Sequence, residues 1–109
     1  MTNPGTFLRR LFETAVSAAA PHHVVGPYLP SPPVGRTVVV GAGKAAAAMA
    51  SAVETAAPGP MEGIVVTRYG HGAPCHSIDV VEAGHPIPDA IGQTTAQRLL
   101  RLAKSLTPN

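Results

Sequence analysis

Near the start of the chain, apolar residues recur at helical spacing. Leu8, Leu11, Phe12, Ala15, Val16 and Ala19 fall on one stripe. Asn3 is placed to cap this helix, and Pro4 to take its first position, where the missing N–H costs nothing. Pro21 is expected to end it. Pro27, Pro30, Pro32 and Pro33 then predict a stiff surface connection. Residues 37–40, Thr-Val-Val-Val, form a continuous apolar run of the kind that is buried on both faces of a sheet. Gly41-Ala42-Gly43 makes a turn, and residues 44–57 predict an alanine-dense helix closed by Pro58-Gly59-Pro60.

A second strand is expected over residues 64–67, entered through Gly63, and a third over residues 78–82. A polar, glycine-rich loop separates them. Asp89 suits the N-cap of a last helix whose apolar face is Ile91, Thr95, Leu99, Leu102 and Leu106. The order helix, strand, helix, strand, strand, helix gives an α/β layer with a mostly parallel, thin sheet. The residues connecting the second and third strands are few for a parallel crossover. A parallel third strand is nevertheless expected, since it would put His85 beside Lys44.

Composition narrows the function. Aromatic residues make up 4% of the chain, so the core volume must come from Val, Ile, Leu and Ala. A net charge of +2, with the basic residues scattered, gives nucleic-acid binding no footprint. Cys75 is the only cysteine, which excludes an internal disulfide and suits a reducing, cytoplasmic setting. The most apolar stretch, residues 38–53, contains Lys44 and is shorter than the ~20 residues of a membrane span. Glu13 sets the N-terminal helix apart from acid-poor transit peptides.

Candidate chemistry gathers at three loops. Gly41-Ala42-Gly43-Lys44 lies between a buried strand and a helix, where unpaired N–H groups and the helix dipole favour an anion. Lys44, placed by this reading in the first helical turn, is disfavoured by the dipole unless an anion is close. The loop is too short for a Walker A motif, and Ala45 stands where that motif has Ser or Thr. It satisfies the dinucleotide pattern through Gly41, Gly43 and Ala46. However, Thr67-Arg68 stands where an acid is expected, so Arg68 would have to meet a 2′-phosphate. The glycines could also serve only close helix–strand packing.

The second loop, Gly84-His85-Pro86-Ile87-Pro88-Asp89, follows a strand. His85 suits substrate orientation or acid–base work, or simply fills the turn. Asp89 fits a helix cap better than a catalytic group. The third, Arg68-Tyr69-Gly70-His71-Gly72, offers a phosphate-facing arginine and a polar lid that includes His71. His71, Cys75 and His76 match no zinc-ligand spacing, so no metal site is expected, and His76 and Cys75 read as plain loop residues.

Taken together, Gly41-Ala42-Gly43-Lys44-Ala45-Ala46 with Met49-Ala50, Tyr69-Gly70-His71 and Glu82-Ala83-Gly84-His85-Pro86-Ile87-Pro88-Asp89 resemble the N-terminal signature of bacterial and archaeal glycerate 2-kinases. Some members of that family carry a hydroxypyruvate reductase label. The resemblance implies a Rossmann-like α/β domain followed by a second α/β domain, with substrates in the cleft between them. It implies transfer of the γ-phosphoryl of ATP to the 2-hydroxyl of D-glycerate, with Mg²⁺. Lys44 matches the family lysine that acts at the reacting phosphate or the glycerate carboxylate. Family members are several times longer, so residues 1–109 are expected to be the N-terminal part of that first domain and inactive alone. The alternatives are an NADP-dependent hydroxyacid reductase and a non-enzymatic binding module.

Overall fold

The computed structural model describes residues 3–108. Helix α1 spans Pro4–Ala18. The Asn3 side chain accepts from the N–H groups of Gly5 and Thr6 at its start, as its position predicts. Its apolar stripe, however, has little to bury against: Leu8 is 64% exposed and Phe12 69%. The proline-rich connection holds more structure than expected. Pro21–Val24 form a short helix, α2, and Gly26–Tyr28 a 3₁₀ turn. Both carry proline in their first turn, where proline starts a helix as readily as it stops the one before.

Strand β1 is Val38–Ala42, α3 is Ala46–Ala56, β2 is Glu62–Arg68, β3 is Ile78–Ala83 and α4 is Ala90–Lys104. The sheet order is β1-β2-β3 and both pairings are parallel. This is the expected α/β architecture with a parallel third strand, carrying one short helix more. Two boundaries differ from expectation. Gly41 and Ala42 pair with Val65 and Val66 and so extend the strand. The turn begins only at Gly43, whose φ of 126° is a conformation that suits glycine. Lys44 and Ala45 complete that turn, so Lys44 lies ahead of the helix rather than in its first turn.

Alternation along β2 and β3 sorts the two faces. Val65 and Ile78 pack with Ala46 and Ala50 of α3. On the other face Asp79 pairs with Arg98 of α4, and Gly92 lies against Ala83. Helices α3 and α4 therefore cover opposite faces. The small side chains of α3 bring its axis close to the sheet. Burying Val65 in that layer contributes about 1.5–3 kcal/mol, whereas the solvent-exposed Asp79–Arg98 pair adds at most about 1 kcal/mol.

The connection from β2 to β3, residues 69–77, crosses without a helix. Cys75 packs against the core under α3. The Glu54 carboxylate of α3 accepts from the backbone N–H groups of His76 at 2.8 Å, Ser77 at 2.6 Å and Ile78 at 2.8 Å. These bonds, the one from His76 foremost, hold the Glu54 carboxyl below the usual range. At the amino end of the sheet, Arg36 bonds and pairs with Glu62 and reaches Ser105 after α4.

Candidate functional site

Because every strand is parallel, the loops after β1, β2 and β3 all open at one end of the sheet. Gly43, Arg68, Gly84 and His85 line a recess of about 250 Å³ there, floored by Val66, Thr67 and Ala83 and closed by Pro88 and Gly92. A larger cavity of about 380 Å³ lies elsewhere, along Val38–Val40 and the proline-rich segment. Its lining carries no ionisable side chain, so the chemistry belongs to the smaller recess.

The first loop is fixed by the sheet. The N–H of Gly43 donates to the carbonyl of Val66, and that of Ala46 to the carbonyl of Gly43. The buried hydroxyl of Thr67 donates to the Lys44 carbonyl at 3.3 Å. The turn is therefore anchored to β2 at two points; Lys44, next along the chain from the recess-lining Gly43 but outside the lining itself, is exposed. Helix α3 has alanine at its N-cap and no side-chain cap; the first of its amides, that of Ala46, is taken by the Gly43 carbonyl.

The other two loops are fastened to each other. The Tyr69 hydroxyl donates to Oδ2 of Asp89 at 2.6 Å, while Oδ1 accepts from the Gly92 N–H at 3.0 Å. The Gly84 amide lies close by and adds to the same effect on the carboxylate. The tyrosine bond, then those amides, draw the Asp89 carboxyl below its ordinary range; the same bond pushes the Tyr69 phenol up. Gly70 donates its N–H to Glu82. A Cβ on Gly84 would stand 2.6 Å from the carbonyl oxygen of Ile87, so that turn requires glycine. The His85–Pro86 peptide within it is cis.

Of the residues singled out by sequence, Gly43, Arg68 and His85 meet at the recess. Gly41 and Ala42 lie behind it in β1. Gly41 packs tightly, since a Cβ there would come 3.3 Å from Val65. His71 is apart from the recess; it is exposed, with its N–H turned to the Arg68 carbonyl. Asp89 caps α4, its oxygens occupied by Tyr69 and Gly92. Lys44 and His85 share one end of the sheet but flank β2 rather than sit on adjacent strands. Sequence reasoning named Tyr69 and Glu82 as motif residues and Thr67 as the neighbour of Arg68, but gave none of them the role of holding the loops. A tyrosine directly after a strand and an acid at the end of the next were the available signals.

The domain of unknown function DUF4147 matches residues 7–109. A protein of Agrobacterium vitis named "Putative hydroxypyruvate reductase" is 48% identical over 103 residues, covering 94% of this chain and 24% of its own. D-glycerate 2-kinase of Thermotoga maritima is 36% identical over 101 residues, 91% of this chain and 24% of its own. Among solved structures, glycerate kinase of T. maritima superposes with a TM-score of 0.76 at 35% identity, over 89% of this chain and 24% of that one. A Pyrococcus horikoshii protein superposes with a TM-score of 0.77 at 30% identity, over 100% of this chain and 28% of that one. The chain thus spans about a quarter of the length of these relatives. The parallel α/β fold agrees with these likenesses, and the chain belongs to the DUF4147 family, among glycerate 2-kinase relatives.

Proposed function

We propose that this chain forms the phosphate-facing part of a glycerate 2-kinase, as the N-terminal portion of its first domain. The observation that carries the reading is the recess where Gly43, Arg68 and His85 converge at the carboxyl ends of parallel strands, with Lys44 alongside. Every charged or titratable group there suits an anion or a hydroxyl, and none is a carboxylate.

In this reading the phosphates of ATP lie over the Gly43 turn and the uncapped start of α3. Lys44 brings a mobile positive charge to the transferring phosphoryl group or to the glycerate carboxylate. Arg68 can hold either anion with two parallel bonds. The 2-hydroxyl oxygen bonds the γ-phosphorus as the bond to the ADP oxygen breaks, and the hydroxyl proton leaves to His85 or to water. Positioning and charge neutralisation supply most of the rate in such transfers. Mg²⁺ would neutralise the phosphates, but the recess offers it no carboxylate and the Asp89 oxygens are engaged. These residues do not form a cage for the ion, and no step here depends on them holding it.

A reductase reading draws on Gly41, Gly43 and Ala46 and on the names of the Agrobacterium relatives. It is weakened by Thr67-Arg68 at the end of β2, where the dinucleotide pattern expects an acid. The test is a chimera in which this chain replaces the matching first quarter of T. maritima D-glycerate 2-kinase. ATP-dependent formation of 2-phosphoglycerate, lost with Lys44→Ala, supports the kinase. NADPH oxidation on hydroxypyruvate without phosphorylation would support the reductase instead.

A further inference from the structure

The ladder between β2 and β3 ends at the pairing of Arg68 with Ala83. Arg68 lines the recess at that last rung, while Gly84, His85 and Pro88 line it from the turn beyond. The sheet therefore fixes the backbone of Arg68 but not that of His85. Another contact has to set the distance between the two.

The turn that carries His85 is bracketed by two acids, Glu82 in β3 and Asp89 at the cap of α4. Both are bonded to one pair of neighbours. The Gly70 N–H donates to Oε1 of Glu82, and the Tyr69 hydroxyl to Oδ2 of Asp89. Gly70 holds a φ of 81°, a left-handed conformation that suits glycine. A Cβ on Gly72 would stand 3.5 Å from Cδ of Glu82, so the loop stays against that acid past Gly70.

Tyr69 and Gly70 thus hold both ends of the His85 turn, and they follow Arg68 directly in the chain. Neither acid lines the recess, so both carboxylates serve this clasp and leave the anion-facing wall without negative charge. Both bonds lie at exposed groups, where water competes, and their stabilising worth is modest. Their effect on geometry is the larger one, since a misplacement of about 1 Å at a reacting centre can cost ~10²-fold in rate.

We propose that Tyr69 is a positioning residue. Through Asp89, with Gly70 and Glu82 as the second point of attachment, it sets His85 at a fixed distance from Arg68. The anion held by one and the hydroxyl met by the other are then presented together. The proposal rests on the kinase reading for its reaction and on the bonds themselves for its geometry.

The test has two arms. In the chimera with T. maritima D-glycerate 2-kinase, Tyr69→Phe should lower kcat on D-glycerate about tenfold, with KM for ATP moved by less than about twofold. In a His85→Ala background the same substitution should cost nothing further, because the group it positions is gone. A loss of stability alone would lower both backgrounds by the same factor. In the ¹⁵N-labelled chain, the His85 and Ile87 amides should be rigid, with order parameters of about 0.85, and fall toward about 0.6 in Tyr69→Phe. The Gly43 amide, bonded to Val66, should stay unchanged and serves as the control.

Equal losses in both backgrounds, an unchanged kcat in an active chimera, or amides as ordered in Tyr69→Phe as in the parent overturn the proposal. A chimera that makes no 2-phosphoglycerate overturns the kinase reading instead, and the amide arm then decides alone whether Tyr69 holds His85 in place.

Discussion

The Tyr69 hydroxyl and the Asp89 carboxylate, 2.6 Å apart, join the loop after β2 to the turn after β3. That bond sets the Asp89 carboxyl below its ordinary range. Tyr69→Phe removes it while leaving the Gly92 and Gly84 contacts. The Asp89 titration midpoint is expected to move up toward the ordinary carboxylate value, followed by NMR. An unchanged midpoint would mean that the two loops are held apart in solution.

Glu54 supplies a pH dependence of definite sign. Its carboxyl is depressed in the fold by the His76, Ser77 and Ile78 amides, so its contribution is fully present above the unfolded-state value. That contribution is lost as pH falls through the lowered folded-state value. Asp89 acts in the same direction. Melting temperature should therefore decline on acidification below the ordinary carboxylate range, and Glu54→Gln should flatten part of that decline. A Glu54→Gln profile parallel to that of the unmodified chain would refute the assignment.

Gly84→Ala is expected to destabilise the fold by about 1–3 kcal/mol, the usual cost of forcing atoms into filled space. Its Cβ would meet the Ile87 carbonyl at 2.6 Å and the Asp89 carboxylate at 3.0 Å. Urea unfolding measures the loss. Equal stability would show that the turn can relax without glycine.

Thr67→Val keeps the shape of a buried side chain and removes its bond to the Lys44 carbonyl. A stability loss of about 1 kcal/mol is expected, the typical net worth of one such bond. In the chimera, kcat should fall as well, because the turn that carries Lys44 is anchored through that carbonyl. A variant with full stability and full kcat would show that Thr67 does not hold the turn.

Within the chimera, Lys44→Ala should reduce kcat by about 10²–10³, the range for losing one preorganised charge contact to a transition state. The isolated 109-residue chain is expected to phosphorylate no D-glycerate at all; a measurable rate from it would contradict the placement of this chain as one portion of the site.

What could be read in the sequence follows the physics of each signal. The Val runs of β1 and β2 and the Asp89 cap of α4 announce themselves locally, and the structure holds them where expected. The start of α3 does not. Alanine on both sides of the boundary gives neither cap nor break, and only the Gly43 conformation decides that Lys44 is turn. Pro21 reads as a stop and Pro27 as part of a stiff connection, although each lies in the first turn of a new helical segment. The recess was legible as three separate loops. Its fastening was not, because the partners of Tyr69 and Glu54 lie about twenty residues away along the chain, where local pattern carries no information.

The helix-free link between β2 and β3 leaves α3, among the described residues, as the one helix covering its face of the sheet. That single layer of alanines touches all three strands, and its Glu54 receives the chain as it enters β3. Assembly then has a direction: β1, α3 and β2 must come together before β3 has a surface and a carboxylate to land on. Amide exchange should find β3 the first strand to open and, on refolding, the last to close.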